Sequence, residues 1–150
     1  MARMCVLGGG LVGSFVACTL HERKHVVRVV DSEPLNGLPT EIETIQSRVG
    51  VENLVGLVGD FDVVINCLPG RIGHSIRALL VAIEGMRVAD LAFTAEDPRF
   101  LDSIAKENAS ILVYDVGIAP GLSNAFLKAA ERDLGALDSA KIWVGGNPQK

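Results

Sequence analysis

The sequence predicts an α/β protein built on a doubly wound parallel sheet, and three observations carry that prediction. Short apolar runs alternate with helix-like amphipathic stretches along the chain. The first run opens onto Gly8-x-Gly10-x-x-Gly13, and the second ends in an acid, Asp31. With 49% apolar, 21% charged and 5% aromatic residues, the 150-residue chain suits an Ala/Val/Leu-rich α/β core better than a disordered or all-β one.

Met4-Cys5-Val6-Leu7 reads as the first strand and the glycines as the turn that leaves it. Gly8 serves the tight strand-to-helix turn, Gly10 lies where backbone approaches a pyrophosphate, and Gly13 lies where the helix packs closely on the strand. A Cβ at Gly10 would collide with that pyrophosphate. The amides opening the next helix are unpaired and lie at the positive end of its dipole, so an anion is held there without a lysine. Gly8, Gly9, Gly10, Leu11, Val12 and Gly13 are therefore candidate cofactor-binding residues.

Leu11, Val12, Phe15, Val16 and Leu20 repeat at helical spacing and are expected to lie on the sheet. Val26 to Val30 is the second strand, interrupted by Arg28, and it delivers Asp31 beside the first. An ionised Asp31 accepts from both hydroxyls of an adenosine ribose and repels a 2′-phosphate. Ser32-Glu33-Pro34 supplies no arginine to meet one, so NAD is favoured over NADP. The competing reading of Asp31 is a solvated turn residue.

Pro34, Gly37 and Pro39 leave no room for a regular helix before a strand near Ile42 to Ile45. A short helix at Asn53 to Leu57 then precedes Asp62 to Cys67, an almost unbroken apolar strand expected to be central. Leu68-Pro69-Gly70 turns the chain into a helix marked by Ile72, Ile76, Leu79, Leu80 and Ile83. Val88 to Leu91 is the fifth strand; Asp97 caps the next helix with Pro98 at its first position; Ile111 to Tyr114 is the sixth strand. A second glycine loop, Asp115 to Gly121, leads into a helix striped by Leu122, Phe126, Ala129, Ala130 and Leu134 and ended near Gly135. Ala140 to Val144 reads as a last strand, which divides the chain into a nucleotide-binding domain over 1–136 and, over 137–150, that strand and the start of a substrate or dimerisation domain continuing elsewhere. Ile142, Trp143 and Val144 would form an apolar edge, so a homo-oligomer is expected.

A net charge of −4 without a basic run argues against nucleic acid as a partner. No apolar run reaches the length of a membrane span and no signal segment opens the chain, so no membrane partner and a cytoplasmic location are expected. Cys5, Cys18 and Cys67 lack CxxC spacing, no ligand cluster has metal spacing, and no serine-centred nucleophile elbow occurs; no metal is expected. In an open parallel sheet the residues ending the strands border the ligand crevice. Asp90 ends the fifth strand in an apolar setting where an unpaired carboxylate is costly, so it either has a partner or faces the cleft. It is the candidate catalytic residue, binding or orienting a substrate amine or polarising the cofactor ring, against a capping or salt-bridged role.

Four segments together resemble the saccharopine dehydrogenase and lysine 6-dehydrogenase family along nearly the whole chain: Val6 to Gly13, Asp62 to Pro69, Val88 to Phe93 and Gly117 to Asn124. The resemblance implies the NAD(P) domain of an amino-acid dehydrogenase that oxidises a substrate amine by hydride transfer to NAD. It further implies that Asn66, Cys67, Leu68 and Pro69 run along the ribose and nicotinamide half of the cofactor, that Gly117 also borders it, and that a substrate domain follows Gly145-Gly146-Asn147-Pro148. Saccharopine reductases of this family generally have an acid just before the last Pro-Gly, where this chain has Ala119, a departure that favours a lysine 6-dehydrogenase-like or an uncharacterised amino-acid dehydrogenase over saccharopine itself. A competing reading is a ligand-sensing regulatory Rossmann module, such as those that control potassium channels, which has no counterpart of the Gly117 to Asn124 loop.

Overall fold

Cys5, Val6 and Leu7 are all buried, and a strand closed off on both faces needs helices above and below it. The computed structural model describes residues 1–92 and 96–145. It comprises two compact units, Met1–Tyr114 and Asp115–Lys150.

The first unit runs β1 (Arg3–Leu7), α1 (Leu11–Glu22), β2 (Val26–Asp31), β3 (Glu43–Gln46), α2 (Leu54–Val58), β4 (Val63–Asn66), α3 (Gly70–Val81), β5 (Arg87–Asp90), a 3-10 turn (Pro98–Leu101), α4 (Asp102–Glu107) and β6 (Ile111–Val113). All neighbouring strands are parallel, in the order β3-β2-β1-β4-β5-β6. This is the doubly wound order whose direction reverses between β1 and β4. Successive residues of each strand feed opposite layers: Cys5, Leu7, Val30, Val64 and Val88 join α2 and α3 on one face, while Val6, Val29 and Ile65 meet Ala17 of α1 on the other.

Arg28, an apparent flaw in the β2 run, fixes its register. Its guanidinium donates to both carboxylate oxygens of Glu43, the residue opposite it on β3, at 2.9 and 3.0 Å, and to the Leu57 carbonyl at 2.8 Å. It also lies 4.5 Å from the centre of the Phe61 ring. As expected from its prolines, the segment between β2 and β3 contains no helix. Asp97 caps the 3-10 turn by accepting from the Arg99 amide at 3.0 Å.

The expected buried stripe of α1 is corrected. Leu11 is 96% and Phe15 72% exposed, and Val12 is exposed as well, while Gly13 and Ala17 are the buried positions. A Cβ at Gly13 would strike the Gly8 carbonyl, so the helix approaches the sheet by its smallest face. Bulky residues on neighbouring faces are thereby left outside, with Val16 and Leu20 partly buried beside Ala17.

In the second unit the backbone bridges Gly117 to Gly121 before α5 (Leu122–Leu134). Gly121 has φ +130°, and a Cβ there would meet the carbonyls of Gly117 and Asp115, so this closure is open only to glycine. Gly135, at φ +87°, ends α5. The expected strand over Ala140 to Val144 does not form: residues 140–145 have no regular structure. Three consecutive apolar residues favour a strand only where a neighbour supplies ladder hydrogen bonds, and among the described residues none pairs with them. Phe93 and the Gly146-Asn147-Pro148 part of the final turn lie outside the described residues.

Candidate functional site

Where strand order reverses, the chains leaving β1 and β4 diverge and open a crevice at their carboxyl ends. It measures about 490 Å³ and is lined by Gly8 and Gly10 after β1, Asp31 ending β2 with Ser32 and Glu33 after it, Ser47, Arg48 and Val49 after β3, Cys67, Leu68 and Pro69 after β4, and Ile72 of α3. That volume lies within the range of small-molecule and cofactor sites.

Close backbone contacts require glycine at two positions of the turn, Gly8 and Gly13. Gly8 has φ +93°, its amide donates to the Val30 carbonyl at 2.8 Å, and a Cβ on it would lie 2.9 Å from the Cys67 carbonyl oxygen. A Cβ on Gly9 would strike the Leu35 side chain. A Cβ on Gly10, by contrast, would meet no protein atom within 4 Å and would project into open space. The fold itself thus needs glycine at positions 8 and 13, where a Cβ would meet backbone; at position 9 the end of the Leu35 side chain would have to shift, and at position 10 only a ligand in the crevice would need glycine. Gly10 precedes the first turn of α1, which opens with no side-chain cap, so its leading amides are left for a ligand anion. Leu11 and Val12 lie in that first turn and are exposed.

Asp31 stands at the crevice wall. One oxygen accepts from the Gly9 amide at 2.6 Å and the other from the Glu33 amide at 2.9 Å. The carboxylate is held in place by the backbone on either side, and each oxygen keeps accepting capacity for a hydroxyl. This tie between Asp31 and the glycine turn was not visible in the linear sequence.

Among the residues after β4, Cys67, Leu68 and Pro69 line the crevice, and Asn66 does not. Asn66 is buried; its Nδ2 donates to Asp90 Oδ1 at 2.9 Å and to the Gly73 carbonyl at 3.1 Å. Burial and the charge of Asp90 push the Cys67 thiol up to about 11. Asp90 has 0% of its surface exposed, and it accepts from Arg77 at 2.8 Å, from Asn66, and from the Ala92 amide at 3.0 Å. Of the two placements expected of Asp90, a partner or the cleft, it takes the first. The paired alternative holds, because α3 carries Arg77, itself 1% exposed, across its carboxylate. Gly117 belongs to the second unit, where it forms part of the Gly117–Gly121 closure.

Sequence reasoning missed Arg77 and the contribution of Ser47, Arg48 and Val49. An arginine between Ile76 and the run Ala78-Leu79-Leu80-Val81, in the apolar second half of α3, was the available signal for the first. For the others the signal was their place directly after β3, since every parallel strand ends on the same side of the sheet.

No family model matches the chain, and no curated protein matches it. Among solved structures it is similar to Mycobacterium tuberculosis 3-hydroxyisobutyrate dehydrogenase, solved with L-serine, at 21% identity and a TM-score of 0.58 over 76% of this chain and 40% of that one. It is likewise similar to a D-isomer-specific 2-hydroxyacid dehydrogenase from Xanthobacter autotrophicus Py2 in complex with NADPH and MES, at 22% identity and a TM-score of 0.53 over 75% and 48%. A third is RSP in complex with NAD+ and operator DNA, at 19% identity and a TM-score of 0.55 over 89% and 59%. The chain spans less than two thirds of each of these proteins. The fold is the Rossmann type found in NAD-binding dehydrogenases. The saccharopine and lysine 6-dehydrogenase family is not among these findings, and RSP runs counter to treating nucleic acid as foreign to this fold. Among the described residues no helix is long and apolar enough to cross a membrane, and no group of His, Cys, Asp and Glu is placed to hold a metal.

Proposed function

We propose that this chain is the dinucleotide-binding part of an oxidoreductase that takes NAD in preference to NADP and removes hydride from the amine carbon of an amino acid. The observation that carries the nucleotide reading is Gly10, whose missing Cβ leaves space that no protein atom uses, directly before the uncapped start of α1. Asp31 supports the adenosine end, standing where two ribose hydroxyls would reach its oxygens. Cys67, Leu68 and Pro69 would border the nicotinamide half. When bound, the nicotinamide ring supplies the hydride acceptor; this chain's residues bind, orient and shield it. The amine substrate rests on the resemblance of the Val6 to Gly13, Asp62 to Pro69, Val88 to Phe93 and Gly117 to Asn124 segments to amino-acid dehydrogenases.

In this reading Asp90 is a positioning residue. Through Asn66 it fixes the β4 end, and through Arg77 it fixes α3, so the loop from Cys67 to Gly70 is held between two braced elements.

A regulatory module that binds nucleotide without turnover is the second reading. It is favoured by the lining after β4, where the titratable group is a thiol held protonated at neutral pH. Titration calorimetry with NADH tests the shared step, with saturable binding expected from the native chain and none from a folded Gly10→Val variant. Equal affinity in that variant would place the nucleotide elsewhere. NADH formation with lysine and other amino acids, assayed on the whole protein containing this chain, separates the enzyme from the regulator.

A further inference from the structure

The β2 end supplies no cation to meet a 2′-phosphate, but the fold brings one from β3. Asp31 pairs with Gln46 in the ladder, and the next amide, that of Ser47, donates to the Asp31 carbonyl at 2.8 Å. Arg48 follows at once and lines the crevice together with Asp31, Ser32 and Glu33. Its backbone is anchored: Asn53 Nδ2 donates to the Arg48 carbonyl at 3.0 Å, and Asn53 Oδ1 accepts from the Gly50 amide at 2.9 Å. The ion pair of Arg28 with Glu43 sets the β3 register that delivers it. The Arg48 side chain is exposed and makes no ion pair among the described residues, although Asp31 and Glu33 share its wall of the crevice. Its guanidinium is thus available to a ligand.

We propose that Arg48 is a specificity-determining residue of the dinucleotide crevice, meeting the 2′-phosphate of NADP so that cofactor choice is set by the opposed charges of Asp31 and Arg48. This rests on the dinucleotide reading above. A guanidinium offers a phosphate paired, charge-assisted hydrogen bonds that the bare ribose hydroxyl of NAD does not call for. The site therefore prefers NAD through Asp31 yet admits NADP through Arg48.

The test is titration of the native chain, Arg48→Ala and Arg48→Lys with NADH and NADPH, each variant checked by circular dichroism. The native chain is expected to bind both, NADH more tightly. Arg48→Ala should weaken NADPH about tenfold, the loss of one good charge-assisted contact, and change NADH by less than about twofold; Arg48→Lys should recover part of the NADPH affinity. Parallel loss of both cofactors, which an arginine on the adenine or the shared phosphates would give, overturns the proposal. So does an unchanged NADH to NADPH ratio, or a native chain that binds NADH alone. A native chain that binds neither cofactor instead removes the dinucleotide reading, and this proposal with it.

Discussion

Arg77 donates to Asp90 at 2.8 Å with both side chains sealed from solvent, and the Nε of that arginine is the buried side-chain polar atom left without a partner among the described residues. Such a pair adds little net stability against an apolar pair of the same shape, but breaking it strands a charge. Arg77→Met or Asp90→Asn alone should cost about 3–5 kcal/mol in urea unfolding, and Arg77→Met with Asp90→Asn together should cost clearly less than the sum of the two. Full additivity of the two single changes would refute the coupling.

The glycines should separate fold from ligand. Gly13→Ala drives a methyl into the Gly8 carbonyl and should cost about 1–3 kcal/mol of stability. Gly10→Val should melt close to the native chain while losing NADH binding. A Gly10→Val protein as unstable as Gly13→Ala would mean that position 10 is structural.

Asp31→Ser should narrow the preference for NAD over NADP by about 1–3 kcal/mol, because it removes both a charged acceptor for the ribose and a repulsion toward the 2′-phosphate. The affinity ratio of NADH to NADPH, measured before and after the change, is the check. An unmoved ratio would take Asp31 out of the ribose site.

Burial pushes the Cys5 thiol from an ordinary 9.0 up to about 12, the charge of Arg28 opposing this less strongly. The folded chain therefore holds that proton where the unfolded chain releases it. The associated stability is intact below about pH 9 and falls as pH rises from there toward 12, by up to about 1.4 kcal/mol per pH unit. Unfolding midpoints between pH 8 and 10.5 should decline less steeply in Cys5→Ala once its lower starting stability is subtracted.

Trp143 is 91% exposed, beside exposed Ile142 and Val144. Its emission should be that of a solvated indole, and light scattering should find association at high concentration that Trp143→Ser lessens. A blue-shifted indole in a strictly monomeric chain would contradict both expectations.

Five of the six strands could be read from the sequence because each is an apolar run closed by glycine, proline or acid, and the mark is clearest in a strand covered on both faces. β3, Glu43-Thr44-Ile45-Gln46, is a largely exposed edge strand signalled only by its isoleucine and the Pro/Gly segment before it. The glycine turn and Asp31 were legible for the same local reason. What escaped depended on partners distant in sequence. The face of α1 is chosen by how near Gly13 comes to Gly8, Asp90 is closed by an arginine from another element, and Arg48 reaches the crevice only through the β3 register. The strand expected at Ala140 to Val144 failed likewise, for apolar content does not supply a ladder neighbour.

β1 precedes every other strand of the sheet in sequence yet lies in its middle, and its pairing with β4 joins residues roughly sixty positions apart. On the ribosome β1 must therefore wait for roughly sixty further residues before its second neighbour exists, holding an unsatisfied row of amides and carbonyls meanwhile. Order of synthesis and order of assembly diverge at this point. The crevice is framed by β1 and β4 and exists only once that long loop has closed, so on the proposed reading NADH affinity should appear together with the β1–β4 pairing.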